Sequence, residues 1–516
     1  MRARTYLGWA LSLSLGCGNS VAPAGTDAGG LPEASPPAAG ALSLAAGEVA
    51  ELSLSQGRAS VRLSSPLGTE KFVLVVASTK LDSSKDSYTY TVTGGAPGSS
   101  TDARLATGCS LDSPWKDRPV QTEPEPSGAP PAVGATRTLI VPVGNRRETI
   151  TAEVVAVSSR AVVWKDTTPA HPATLEPAFT ADFLADFDRT LLPRERSIFG
   201  VESDVDGDGR VGLVFSPLTR DSAVAFFSQC DLLEGTPGCG AGNRGEFLYL
   251  TPPANIAPPY NTPAAIKEIL AHELGHLHHF NRKVLRNKLT SWPDSSYMIE
   301  GFGGFAQDVI GYQSGNLYVA KAGLDGIGDS SLADVLGARS TYDSKRDGAL
   351  RGVGYLFVRY AYDRAGGDSA KADGTLDGRG GTAFLRDVLD AKESVAARMA
   401  SMASLADISM DFYTALALSN GEKGAGSAPK NPCFAFAPVQ TDPVTGKPRG
   451  ADLHASFHGQ QMKGPKTQAL EAADGTLRSG GVELLVFDAR AGAPESGAQV
   501  TIDEAALPRV RVARVK

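Results

Sequence analysis

Residues 261–282 read NTPAAIKEILAHELGHLHHFNR, and this stretch decides how the rest of the chain is interpreted. Thr262 followed by proline is typical of a helix start, because threonine can accept a hydrogen bond from a free amide of the first turn and proline needs no amide hydrogen there. Four apolar residues recur at the spacing of one helix face, namely Ile266, Leu270, Leu274 and Leu277. The pattern predicts a helix that packs this face against a core.

The same stretch contains the motif H-E-x-x-H, formed by His272, Glu273 and His276. On a helix the two histidines lie one turn apart on one face, where two imidazoles can hold one zinc ion. Glu273 falls between that face and the apolar stripe, so its carboxylate can reach a water on the metal without being a ligand. The alternative interpretation is a solvated polar helix face.

A catalytic zinc ion usually takes three protein ligands, so a third is needed. The segment SYMIEGFGGFAQDVIGY, residues 296–312, offers Glu300, which lies 24 residues after His276. It stands before a glycine and a helical stretch, which resembles the gluzincin pattern, and that resemblance implies that a second helix brings this carboxylate to the metal. The alternative is a glutamate that only stabilises the first turn of that helix. Asp308 lies further along the segment. The pattern favours an exposed position for it over a hydrogen bond that orients one of the ligand histidines.

Five motifs in order carry a resemblance to a known family: D-V-D-G-D-G-R-V, N-R-G-E-F-L-Y-L, A-H-E-L-G-H-L-H-H-F-N-R, M-I-E-G-F and Y-L-F-V-R-Y-A-Y-D. The combination resembles the hyicolysin-like bacterial neutral zinc metallopeptidases, of the gluzincin type with a distal glutamate, over residues 136–420. The resemblance implies a zincin-like domain that hydrolyses peptide bonds in proteins. It implies that His272, His276 and Glu300 bind Zn²⁺ and that Glu273 is the catalytic base.

A further donor is expected for the negative charge that develops on the substrate carbonyl. Our candidate is Tyr355 in the helical stretch GVGYLFVRYAYDR, because related gluzincins place a tyrosine at a similar distance after the third ligand. The alternative is a core aromatic whose hydroxyl is hydrogen-bonded.

The run Asp204, Asp206, Asp208, Gly209 is similar to the opening of a calcium loop, with oxygens at alternating positions and glycine at the turn. Position twelve is Phe215, so a full EF-hand is excluded. A structural Ca²⁺ site and a tight acidic turn before a strand are both compatible with the pattern.

The first residues predict export. Residues 1–16, MRARTYLGWALSLSLG, place arginines before an apolar stretch, which is the layout of a signal peptide. Cys17 follows in a run that resembles a bacterial lipobox, so we expect a lipid on Cys17, the sole membrane contact, and a flexible linker over residues 17–40 rich in Gly, Ala, Pro and Ser. The expected location is the bacterial cell envelope. The alternative is a plainly cleaved signal and an extracellular protein.

Pattern changes divide the rest of the chain. Short alternating apolar runs over residues 41–135 predict an N-terminal β-sandwich, and strand patterns return over 421–516 as a C-terminal β module. Strands and helices are mixed over 136–420, the expected peptidase domain. The predicted class is therefore α+β. The formal charge of −7 over 516 residues offers no basic face for nucleic acid, so none is expected as a partner.

The five cysteines support an oxidising compartment. Once Cys17 is set aside, four remain. Cys230 and Cys239 flank a short Gly- and Pro-containing loop and are expected to pair, which leaves Cys109 with Cys433. The alternative is that some of the four remain buried thiols.

Two other functions are compatible with the sequence. The first is a non-catalytic surface-binding lipoprotein with a structural metal, and the intact Glu273 argues against it. The second is an amidase that acts on an envelope polymer, which a metal motif alone does not exclude. The main expectation remains a zinc-dependent endopeptidase with a protein or peptide substrate.

Overall fold

The computed structural model describes residues 40–82, 86–95, 99–111, 115, 118–236, 239–313, 316–337, 343–419, 427–457 and 460–516. The predicted signal peptide, Cys17 and nearly all of the linker lie outside these residues. About 32% of the chain is helical and 25% is strand, which confirms the α+β class.

The strands occur mainly in three sequence regions. The first group is β1 (Val49–Leu52), β2 (Arg58–Ser64), β3 (Lys71–Ser78), β4 (Ser87–Gly94) and β5 (Ala103–Leu105). The second is β6 (Thr136–Val143), β7 (Arg146–Val157), β8 (Ala161–Asp166), β9 (Val211–Phe215), β10 (Ala225–Phe227) and β11 (Phe247–Leu250), followed by the short pair β12 (Ser369–Ala370) and β13 (Leu376–Asp377). The third is β14 (Gln440–Thr441), β15 (Pro448–Arg449), β16 (Ser456–Phe457), β17 (Gln460–Gln461), β18 (Gln468–Ala469), β19 (Ala472–Arg478), β20 (Val482–Asp488), β21 (Glu495–Ile502) and β22 (Pro508–Arg514).

The helices occupy the middle of the chain, between β8 and β14. They are α1 (Pro177–Asp186), α2 (Leu192–Phe199), α3 (Pro263–Phe280), α4 (Ser296–Val309), α5 (Asn316–Asp325), α6 (Leu332–Leu336), α7 (Asp347–Arg364), α8 (Gly380–Asp390), α9 (Val395–Ala400) and α10 (Leu405–Ser419). A π-helical turn, Asn281–Leu285, continues α3.

The two ends of the chain build one sandwich together. One of its sheets has the order β18-β20-β3-β22-β1-β5, and the other has the order β19-β4-β21-β2. Both sheets therefore mix strands from 41–135 with strands from 421–516, and the two segments do not form separate sheets as the sequence suggested. The reason is that local alternation reveals a strand but does not specify its partner, which long-range packing selects.

β3 shows why the sandwich attaches to the helical part. It lies between β20 and β22, and its interior is buried on both faces. Phe72, Leu74 and Val76 belong to the core between the two sheets. Val73, Val75 and Ala77 belong to the core shared with the helices. The continuous apolar run KFVLVVAS is what a strand between two apolar layers requires.

A second six-stranded sheet, which we call the central sheet, supports the candidate site. Its order is β10-β11-β9-β8-β7-β6, with β8, β9 and β11 parallel and β10 antiparallel at one edge. One face contributes Val163, Leu213 and Leu250 to the core that includes α1 to α4. This packing places the edge strand β10 beside α3.

Two disulfides have the predicted partners. Cys230 pairs with Cys239, and Cys109 pairs with Cys433. The second bridge ties the segment after β5 to the segment after α10. The pairs are consistent with an exported protein in an oxidising environment. Among the described residues, no helix combines the length and the apolar character needed to cross a bilayer.

Candidate metal centre

The helix α3 carries two of the candidate ligands, as predicted. It begins at Pro263, and the Thr262 hydroxyl accepts a hydrogen bond from the Ala265 amide at 3.3 Å. The predicted apolar stripe is buried in the main core. This packing fixes the rotation of the helix and so the direction of its adjoining face, which contains His272 and His276.

The helix α4 brings Glu300 to the same place. Its N-cap is Ser295, whose hydroxyl accepts from the Met298 amide at 3.0 Å. Glycines allow α4 to approach α3 closely. A Cβ added to Gly275 would lie 2.5 Å from the Cβ of Ala306, and one added to Gly303 would lie 2.6 Å from two ring atoms of His272. The glycine-rich sequence after Glu300 therefore leaves room for the His272 ring.

The three residues form one compact donor group. Their ligand atoms all lie within 4.8 Å of one another, and His272 Nε2 is 3.3 Å from Glu300 Oε2. The two imidazole rings are perpendicular, with centroids 4.6 Å apart. Two imidazoles and one carboxylate are a donor set that suits zinc, so the residues present fit such an ion. The predicted convergence of His272, His276 and Glu300 is thus found in the structure.

Burial and charge set the protonation of this group. Burial alone would raise the pKa of Glu300, but the hydrogen bond from His272 and the electrostatic interactions with His276, His272 and Arg351 outweigh it and lower the pKa to about 2. Burial and the neighbouring His272 lower the pKa of His276 to about 3. A carboxylate and a neutral imidazole are the forms that can donate electron pairs to a metal. Burial lowers the pKa of His272, but its hydrogen bond to Glu300 and the charges of Glu273 and Glu300 raise it overall, so a protonated His272 has to release its proton before it can bind a metal.

Glu273 lies beside the three ligands and is not one of the donor group. Its side chain is buried, and Oε2 accepts a hydrogen bond from the Phe227 amide of β10 at 2.9 Å. Burial raises its pKa to about 7, although the positive charge of His272 opposes this shift. A carboxyl group with such a pKa can both accept and return a proton near neutral pH.

Arg351 is the residue at this centre that the sequence analysis missed. It lies in the first turns of α7, and its Nη1 makes an ion pair with Glu300 Oε2. Its Nε donates to Asp347 Oδ2 at 3.0 Å. The sequence gives no local signal for this contact, because residue 351 lies 51 positions after Glu300 and nothing in the helical pattern shows which helix it will face.

The hydroxyl of Tyr355, which was predicted to be a carbonyl donor, makes its hydrogen bond within the core. The hydroxyl is buried and donates to Asp308 Oδ2 at 3.1 Å. Asp308, for which an exposed position was favoured, is fully buried and also accepts from Arg359 at 3.0 Å. This buried carboxylate needs several donors in a medium of low polarity, and the tyrosine is one of them. The alternative interpretation, a hydrogen-bonded core aromatic, describes Tyr355.

The acidic loop before β9 forms a second group that could hold a metal ion. Carboxylate oxygens of Asp204, Asp206 and Asp208 lie within 4.8 Å of one another. Burial and the charge of Asp206 raise the pKa of Asp208 to about 6. The buried Glu246 supports the loop, since its carboxylate accepts the Val205 amide at 3.1 Å.

Comparison with known proteins gives no family assignment, since neither a family model nor a curated protein matches this chain. The resemblance to hyicolysin-like peptidases therefore stays a prediction from the motifs. The geometry of the donor group is independent of that resemblance.

Proposed function

We propose that this protein is an exported zinc-dependent endopeptidase, anchored by a lipid on Cys17, with His272, His276 and Glu300 as metal ligands and Glu273 as base. The observation that carries the proposal is the group of three metal-donor residues with a fourth residue, Glu273, beside it, whose carboxyl group is buried. A structural metal needs no such neighbour, because a base contributes to chemistry and little to folding. The arrangement therefore favours catalysis over the binding-lipoprotein alternative.

Glu273 would handle the proton in peptide hydrolysis. A bound zinc ion would supply an acidified water and polarise the substrate carbonyl. Glu273 can take a proton on one side of the reaction and return it to the departing amine, which is general base and general acid catalysis by one group. The Phe227 amide holds one of its oxygens, so the carboxyl group has a fixed orientation.

The edge strand β10 supports a peptide as substrate. Thr251 donates its amide hydrogen to the Val224 carbonyl at 2.8 Å. Hydrogen-bonded and non-hydrogen-bonded residue pairs alternate along antiparallel strands, so the amide and carbonyl groups of Ala225 and Phe227 point away from β11. The Phe227 amide points towards Glu273 accordingly. An extended peptide can add to such an edge as a further strand, which would bring its scissile bond beside the base.

The proposal is tested with purified protein and a peptide library. We expect one zinc ion per chain and cleavage of internal peptide bonds, lost on chelation and restored by zinc. Metal-free protein that stays active would contradict the metal assignment. Zinc-loaded protein that cleaves no peptide would favour a binding lipoprotein, and cleavage of envelope polymer alone would favour the amidase.

We also propose Ca²⁺ at the loop Asp204–Asp208, because hard carboxylate oxygens at alternating positions suit this ion.

The folded-state pKa of Asp208, about 6, lies above its ordinary value of about 4. The protonated Asp208 carboxyl group therefore contributes fully to the free energy of unfolding below pH 4, and this contribution is lost as the pH rises through 6. Calcium offsets this loss, so we expect it to raise the melting temperature more at pH 7.5 than at pH 4.5. Asp206→Asn should abolish the difference, and an equal calcium effect at both pH values would contradict the site.

A further inference from the structure

We propose that Arg351, held by Asp347, is a positioning residue that orients the carboxylate of Glu300 as a metal ligand. The inference rests on the proposed zinc centre and adds a third helix, α7, to it. Two of the ligands need little orientation, because His272 and His276 share one helix. Glu300 comes from a separate helix on a flexible side chain that is 24% exposed, so another group must fix its carboxylate.

The guanidinium of Arg351 is placed to do this. It contacts Glu300 Oε2, the same oxygen that lies 3.3 Å from His272 Nε2. The planar guanidinium group contacts Glu300 through Nη1 and Asp347 through Nε, so its direction towards Glu300 is more restricted than that of a lysine ammonium would be. Groups that hold a ligand from outside the metal sphere typically contribute about 10- to 100-fold to metal affinity.

Asp347 makes the contact electrostatically compatible with a cation. It binds Arg351 Nε at 3.0 Å from one turn earlier on α7. A lone arginine beside the ligands would repel a divalent metal ion. The Arg351–Asp347 pair has no net charge, so it can orient Glu300 with little of that repulsion.

Close packing of α7 against α4 fixes the position of the Arg351–Asp347 pair. A Cβ added to Gly301 would lie 2.6 Å from the Gly354 carbonyl carbon, so α4 and α7 touch at backbone level next to Glu300. Arg351 stands one turn before this contact. The distance between the two side chains is therefore set by direct helix packing.

The test compares zinc affinities of variants of the full chain by competition with a chromophoric chelator. The double variant Arg351→Met with Asp347→Asn removes the pair at unchanged net charge, and we expect zinc binding about 10- to 100-fold weaker than in the wild type. The control removes another ion pair between residues four apart, on α5, by Lys321→Met with Asp325→Asn, and should bind zinc as the wild type does. Arg351→Lys should lie between, because it keeps the charge but not the fork.

Each outcome bears on a distinct claim. Unchanged or tighter zinc binding in the double variant overturns the role of Arg351 and leaves the proposed function standing. A wild type that binds no zinc overturns the metal centre and the role of Arg351 together. Melting temperatures of the zinc-free proteins show whether the double variant folds. If it does not fold, the zinc affinity of Arg351→Lys tests the proposal instead, and a wild-type affinity in that variant would contradict it.

Discussion

Glu273→Gln is expected to lower kcat for peptide cleavage by about 10²- to 10⁴-fold while zinc content and fold stay unchanged. The physical reason is that glutamine keeps the size of the side chain and can still accept the Phe227 amide hydrogen, but it cannot take up a proton. The residue is outside the donor group, so its replacement leaves three ligands in place.

Measurement requires the zinc content, the melting temperature and the kcat of the same preparation. Glu504→Gln is the matched control, because Glu504 is exposed on the terminal sandwich and should leave all three values unchanged. Retained activity in the Glu273 variant would remove this residue from the mechanism. Loss of zinc together with activity would mean that Glu273 belongs to the metal site itself.

Gly303→Ala is expected to weaken zinc binding by about 10- to 100-fold and to lower peptidase activity where free zinc is limiting. The added Cβ would lie 2.6 Å from the Cε1 and Nε2 atoms of His272, which is a steric clash that proteins essentially never contain. The ring must therefore rotate or the helices must separate. Either change displaces one ligand, and metal affinity depends on ligand geometry held to within a few tenths of an ångström.

The control for this variant is Gly348→Ala in the first turn of α7. A Cβ there would meet only the Cβ of Ala322 at 3.6 Å, which is ordinary contact. Alanine favours a helix over glycine by about 1 kcal/mol, so this control should bind zinc normally and be slightly more stable. Wild-type zinc affinity in Gly303→Ala would show that His272 has room to move, and would contradict the tight packing of α3 against α4.

Much of the candidate site could be predicted from local sequence. The pair His272 and His276 follows from a spacing of four on a helix, and Thr262 and the apolar stripe predict that helix. The place of Glu300 was a longer extrapolation, which relied on the resemblance to a family pattern, and the structure brings it to the histidines. Tyr355 was assigned by the same kind of extrapolation, and the structure shows its hydroxyl bonded to the buried Asp308, which the sequence pattern did not indicate.

The fold divides in a similar way. Individual strands such as β3 and β20 could be predicted from their apolar runs, and the pairs Cys230–Cys239 and Cys109–Cys433 from cysteine spacing and elimination. Their arrangement into one sandwich from both ends of the chain could not. Pairing of β3 with β20 joins residues about 400 positions apart, and an alternating pattern is compatible with many partners.

The sequence by itself determined the ligand-bearing helix α3, its two imidazoles one turn apart and the carboxyl group beside them, because these relations repeat within a few residues and depend on helix geometry alone. The tertiary structure decided which residues from other helices meet that face. It placed Arg351 on Glu300 and turned Tyr355 into the core, because the rotation and approach of α4 and α7 depend on glycine contacts and buried charges far apart in the chain.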